Sequence, residues 1–179
     1  MPKFTINGSV FNINAEVRNE DYSGNPCQPT IYARPPIAGK MVKQFVKQHF
    51  PKVTCKVKSH SFSGGNSLNV WVSNKDGSSI SEKDFERIDN FVDRFRYGKF
   101  NGMIDMYEYN DKSERNIVSD EGIIIEGGVK YTHCHNRPAF DTVEGVLREV
   151  LEEKRPFGDT IKYVSDAVAR RAKQYLLTH

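Results

Sequence analysis

Residues 53 to 74 read VTCKVKSHSFSGGNSLNVWVSN, two alternating runs around a Ser-Gly-Gly loop, and the parity of those runs decides the fold. In the first, about 53 to 59, Val53, Cys55 and Val57 share one face of an extended chain, opposite Thr54, Lys56 and Lys58. In the second, about 67 to 73, Leu68, Val70 and Val72 oppose Asn69, Trp71 and Ser73. Each run is a strand with one apolar face that needs cover, and the only tryptophan falls on the other side. The loop offers backbone amides to an anion, yet no helix follows it and it lacks the Gly-Lys-Ser/Thr ending of a phosphate loop. It reads as a hairpin turn in which glycine supplies positive φ.

Outward from this hairpin, AGKMVKQFVKQH (about 38 to 49) is an amphipathic helix, with Met41, Val42, Phe45 and Val46 in one stripe and Lys40, Lys43 and Lys47 away from it. Pro51 stops it. Ser81 caps a second helix, SEKDFERIDNFVDRFRYG, with Phe85, Ile88, Phe91, Val92 and Phe95 inward and Gly98 at its end. Residues 99 to 121 form a long polar segment too interrupted to be one element, and GIIIEGGVKYTHCHNR reads as a strand, a Gly-Gly turn and a second strand, 129 to 135. The tail reads as two helices broken at Pro156-Phe157-Gly158. Ahead of the core, Asn7-Gly8 is a candidate hairpin turn, whereas SGNPCQPTIYARPP looks too rich in Pro and Gly for regular structure. The expected organisation is an N-terminal extension (1–36), an α+β core (37–140) and C-terminal helices packed on it (141–179). The expected fold class is α+β, a small, mainly antiparallel sheet with helices on one face. Met41, Phe45, Val53, Val57, Val70, Val72, Phe85, Ile88, Phe91 and Val129 should form one core.

A chain of 179 residues can bury such a core without metal or disulfide staples. Its three cysteines, Cys27, Cys55 and Cys134, are widely spaced and in no CxxC pair, as expected of reduced thiols in a cytosol. With no apolar run of signal-peptide or membrane-spanning length, the expectation is a soluble, cytoplasmic protein with no membrane partner. The net charge of +3 hides a strong asymmetry. From Tyr22 through Lys75 there is no acid, while Arg34, Lys40, Lys43, Lys47, Lys52, Lys56, Lys58 and Lys75 give that segment +8, leaving 18 bases against 23 acids elsewhere. A concentrated basic segment is the footprint of a partner carrying phosphates or carboxylates, or else a solvated lysine face.

No pattern calls for a cofactor. His133 and His135 sit two apart on one strand, a spacing zinc can use if His60, Cys55 or Asp105 converged with them, but no second pair has ligand spacing, so no metal is expected. Cys134 points away from its flanking histidines and Cys55 falls on the apolar face, which leaves neither a convincing nucleophile. The acids of MIDMYEYND and SDE are as ordinary for solubility as for magnesium. If the three strands are neighbours, Lys56, Lys58, Asn69, Trp71, Tyr131, His133 and His135 share one surface, the ingredients of a stacking platform for single-stranded nucleic acid. Alternatively the C-terminal helices, with stripes Val146, Leu147, Val150, Leu151 and Ile161, Val164, Val168, Leu176, cover that surface and make Trp71 core. The burial those stripes require favours the covered arrangement.

VKQFVKQHFPKVTCKVKSHSFSGGNSLNVWVSN, then GKFNGMIDMYEYND, then VKYTHCHNRPAF resemble, in that order, the large polyvalent protein associated domain 29, over about residues 37 to 140. Asn101 stands where the FDGM motif of that family carries an acid. The family is an accessory module of phage and conjugative-element products, thought to accompany invading DNA, and has no assigned reaction. The resemblance therefore implies a non-enzymatic mobile-element protein acting by binding in the host bacterial cytoplasm. Together with the basic segment it makes nucleic acid the first expected partner, through Lys40, Lys43, Lys47, Lys56, Lys58, Trp71, Tyr131 and His133. The rivals are an inhibitor that binds a host defence protein and a nucleic-acid or nucleotide hydrolase.

Overall fold

In the computed structural model, which describes residues 3–21, 23–101, 103, 106–109 and 116–179, the chain opens with β1 (Lys3–Ile6), β2 (Ser9–Asn12), β3 (Arg18–Glu20) and β4 (Pro26–Ala33). Then come α1 (Pro35–His49), β5 (Val53–Phe62), β6 (Gly65–Asn74) and α2 (Glu82–Asp93). β7 (Gly98–Asn101), β8 (Met106–Tyr109), β9 (Ile117–Val118), β10 (Ile124–Gly127) and β11 (Tyr131–His135) follow. The C-terminal part is α3 (Val143–Leu151), α4 (Phe157–Thr160), a 3₁₀ turn (Ile161–Tyr163) and α5 (Asp166–Thr178). The class is α+β. Among the described residues the strands fall into four small sheets, and every pairing is antiparallel except β4 with β10 and β6 with β11.

The hairpin is as the alternation predicts. β5 and β6 pair without a register break from Val53↔Asn74 to Phe62↔Gly65, and Gly64 closes the turn at φ 90°. β11 lies parallel to β6 on its other side, His135 opposite Trp71. Leu68, Val70 and Val72 are fully buried, and α1 and α2 pack on their face. All ten residues expected in one core belong to a single cluster or pack against it. Phenylalanines tie the helices to the N-terminal hairpin: Phe91 of α2 stacks on Phe45 of α1 at 4.1 Å and on Phe11 of β2 at 6.1 Å. Phe11 in turn stacks on Phe4 at 5.8 Å. α2 carries the expected cap, Ser81 Oγ accepting from the Asp84 amide, but ends at Asp93, short of Gly98.

Two expectations need correction. Pro26–Ala33, expected to be irregular, is the strand β4, which buries Ile31 and Ala33 in the core alongside Phe4 and Phe11. Its prolines are tolerated because Pro26 and Pro29 lie in its exposed first half, toward the edge strand β3. Second, Gly127-Gly128 is no hairpin turn. β10 pairs with β4 and β9 while β11 pairs with β6, so the glycines carry the chain from one sheet to another. A Cβ on Gly127 would stand 2.6 Å from the Phe95 carbonyl oxygen, and Val129 donates to that same carbonyl at 3.0 Å. The tail is the expected C-terminal helical pair, α3 and α5 joined through the short α4 and the 3₁₀ turn, and their apolar stripes pack on each other, burying Val146 and Ala172 and leaving Leu151 exposed.

α1 is fastened to β2 by side-chain amides acting as a surrogate strand. Gln44 Oε1 accepts from the Asn12 amide and its Nε2 donates to the Asn12 carbonyl, both at 2.8 Å. One turn later Gln48 makes the same pair with Val10, at 2.9 and 2.8 Å. The i, i+4 spacing of a helix thus matches the i, i+2 spacing of a strand edge. Replacing both Gln44 and Gln48 by Ala should cost about 1–2 kcal/mol, since each exposed hydrogen bond contributes at the low end of the usual range. Amide exchange should accelerate at Val10 and Asn12 well before β6 is affected, and unchanged protection there would refute this role for the glutamines.

Candidate functional site

Register places Lys56, Lys58, Asn69, Trp71, Tyr131, His133 and His135 on one face of the β5–β6–β11 sheet, opposite α1 and α2. That face has two unlike ends. At the Trp71 end the indole stacks on the His135 ring, centroids 5.4 Å apart, and Lys58 Nζ stands 6.0 Å from the indole ring centroid. Asp141 bridges both strand lysines, 2.5 Å from Lys56 and 2.8 Å from Lys58. Burial opposes ionisation of Asp141, but hydrogen bonds and charge from the two ammoniums hold its carboxyl below the usual carboxylate value. Pro138, Ala139 and Thr142 close over Thr54, Lys56, Trp71 and Ser73, leaving a cavity of about 150 Å³. Trp71 is half-buried, and its Nε1 is buried without a hydrogen-bond partner among the described residues. The cover is therefore the β11–α3 connection and not the helical stripes.

Local chemistry fixes that cover. Thr142 caps α3, its Oγ1 accepting from the Gly145 amide at 3.1 Å and donating to the Ala139 carbonyl at 2.7 Å. Only glycine fits at 145, where a Cβ would collide with that carbonyl. Arg137, its guanidinium 4.0 Å from the Phe140 ring centroid, pairs at 2.7 Å with Glu149, a carboxylate 2% exposed that Arg155 also approaches at 3.1 Å. A buried carboxylate between two arginines holds a geometry more than it adds stability.

The other end carries an aromatic cluster. Tyr131 stacks on Phe62 at 6.2 Å and meets Tyr107 edge-on at 6.4 Å, while Tyr107 and Tyr109 flank Tyr97 at 5.7 and 5.9 Å. Lys130 Nζ lies 5.0 Å from the Tyr107 ring centroid and 5.5 Å from that of Tyr131. Burial pushes the Tyr107 hydroxyl up to about 12, and that hydroxyl donates to the Lys130 carbonyl at 2.9 Å. Phe62 is 49% and Tyr109 76% exposed, so the cluster is wet. Of these residues sequence reasoning selected only Tyr131. Phe62 lay in a presumed loop, and the β7–β8 hairpin that brings the other tyrosines lay in the unassigned 99–121 segment. A period-2 pattern of tyrosines at 107 and 109 was the available signal.

The lysines of α1 do not share the face of Lys56 and Lys58. Lys40, Lys43 and Lys47 are exposed on a helix that packs against the opposite side of the sheet. Lys43 and Lys47 line a groove of about 410 Å³ floored by Val46, Phe50, Val53 and Cys55. The basic segment thus flanks β5 from both sides and does not pave one surface.

His133 is exposed and His135 engages Trp71. Among the described residues no three His, Cys, Asp or Glu side chains converge, and Asp105 lies outside them. Burial raises the thiols of Cys55 to about 11 and Cys134 to about 12, which keeps both protonated and unreactive at neutral pH. All three cysteines are free thiols. Asn101 donates to Glu108 at 2.7 Å, a contact a carboxylate at 101 would turn repulsive. Among the described residues no helix is long and apolar enough to cross a membrane.

Burial, then the charge of Arg137 and the nearby His133, lower the pKa of His135 below its ordinary 6.5. The unfolded chain then binds a proton that the folded state refuses, so this contribution is present above pH 6.5 and is lost as pH falls through the lower folded value. Urea unfolding at pH 7 and pH 5 should show stability falling over that interval. His135→Phe, which keeps the ring against Trp71, should reduce the fall, and an identical fall in the variant would overturn the assignment.

No curated protein and no solved structure matches the chain. The profile of one family, the large polyvalent protein associated domain 29, matches residues 35–139. The match starts where α1 starts and runs through β5, β6, α2 and β11 to the Ala139 carbonyl on which Thr142 caps the next helix. The protein belongs to the large polyvalent protein associated domain 29 family and is, accordingly, a phage- or mobile-element-associated protein.

Proposed function

We propose that the protein acts by binding and not by catalysis, and that its ligand is single-stranded nucleic acid of the mobile element, met in the host bacterial cytoplasm. The observation that carries this reading is the wet end of the polar face, where Lys130 lies against Tyr107 and Tyr131 and these rings in turn meet Tyr109 and Phe62. Every base offers a π-face, so such a surface takes single strands with little sequence preference. His133 and His60 continue it along the sheet. The surface extends toward Lys56 and Lys58, whose charge Asp141 half neutralises.

Two kinds of variant separate stacking from charge in an anisotropy titration with a labelled oligo-dT across a salt series. Phe62→Ala and Tyr131→Ala should each weaken binding by about 1–3 kcal/mol with no change in salt slope, because stacking releases no counterions. Lys130→Ala should lower the slope of log affinity against log salt by about 0.7, the share of one single-strand phosphate contact. Asp141→Asn should raise both affinity and slope by freeing Lys56 and Lys58. Absence of any binding by the wild-type protein at low salt, where the electrostatic contribution is largest, would refute the nucleic-acid reading.

A further inference from the structure

We infer that the outer edge of β5 is a docking site for an extended segment of a partner protein, alternately acidic and apolar, which joins the sheet as an added strand. The order β11–β6–β5 leaves β5 at the margin, and among the described residues no strand pairs with its outer side. From Lys58 to Phe62 every residue is exposed.

The turn sets which backbone groups are open. In a two-residue hairpin the closing pair, here Phe62↔Gly65, exchanges its hydrogen bonds, and such pairs then alternate along the ladder. Thr54, Lys56, Lys58 and His60 therefore spend their amides on β6, while Cys55, Val57 and Ser59 aim theirs outward. Exposed edges are ordinarily blunted by shortness, a bulge, a proline or charged side chains, lysine above all, and of these β5 has only Lys56 and Lys58, a guard against cationic strands and not against acidic ones. β5 has ten residues, an unbroken register and no proline, which leaves a long template for pairing.

Charge selects the occupant. On one side of the edge stand Lys56 and Lys58 with the single carboxylate of Asp141; on the other, Lys43 and Lys47 rim the groove floored by Val46, Phe50, Val53 and Cys55. A strand added here alternates in the same way, placing one set of side chains beside Lys56 and Lys58 and the other over the apolar floor. Acidic residues suit the first set and β-branched apolar residues the second. A second copy of this chain does not fit, since edge-to-edge pairing would set β5 lysines against β5 lysines. The edge site shares Lys56 and Lys58 with the proposed nucleic-acid surface, but its backbone donors and apolar floor lie away from the Phe62–Tyr131 cluster and do not depend on it.

The test uses ¹⁵N-labelled protein without nucleic acid and an acetylated, amidated eight-residue peptide of alternating Glu and Val. The peptide should slow exchange of the Cys55, Val57 and Ser59 amides, and its Lys-Val counterpart should bind at least about tenfold more weakly. Ser59→Pro removes one outward donor without touching the β6 ladder, a placement edge strands tolerate. It should weaken Glu-Val binding about tenfold or more while leaving oligo-dT affinity unchanged, so failure here and failure of the nucleic-acid reading are distinguishable. The inference is overturned by any of three results: no protection of those amides at millimolar peptide, equal binding of the two peptides, or concentration-dependent self-association that protects the same amides.

Discussion

β6 carries two ladders at once, antiparallel to β5 and parallel to β11, and the rest of the protein is arranged by which way its side chains point. Leu68, Val70 and Val72 on one side demand cover, and α1 and α2 supply it. Full burial of three such side chains is worth several kcal/mol, at about 1.5–3 each. A register slip of one residue would trade that burial for exposure and set Trp71 against the helices. The phenylalanines that join α1, α2 and the N-terminal hairpin rest on this first decision, because α1 must sit on the apolar face before Phe45 can meet Phe91.

The polar face is shaped by opposite means. Here no large apolar stripe closes the surface; a short connection does, held down by a threonine cap, a glycine at 145 and ion pairs through Asp141 and Glu149. One end of the face is therefore occupied by protein and the other by solvent. Lys56 and Lys58, through Asp141, fix the connection over the sheet, while the tyrosines rely on one another and on Lys130. That difference explains why the single tryptophan, the more conspicuous aromatic, is less available than Phe62 and Tyr109.

Much of the core was legible because it obeys simple periods. The alternation at 53–57 and 68–72, the stripe of α1 and the Ser81 cap are local properties, and local properties survive folding. What was illegible depends on partners remote in sequence. Nothing in PCQPTIYA announces a strand until β10 arrives beside it, and Gly127-Gly128 reads as a turn unless the Phe95 carbonyl that crowds it is known. Gln44 and Gln48 look like surface residues because their acceptors and donors lie on β2. At the candidate site, parity correctly grouped Trp71, Tyr131 and His133 but could not reveal Asp141. It also could not show that the sheet separates Lys43 and Lys47 from Lys56 and Lys58.

The pairing of Thr30–Ala33 with Ile124–Gly127 has a consequence for how the chain is made. A ribosome delivers β4 long before β10, and parallel strands so far apart in sequence close a large loop, a slow step. Until then Ile31 has no sheet neighbour beyond the three residues of β3, although β5, β6 and α1 already have one another. Synthesis should thus pass through a state in which the β5–β6 hairpin and α1 are formed while β4 waits open. During that interval the nascent chain is most exposed to holdase chaperones and to mispairing with its neighbours.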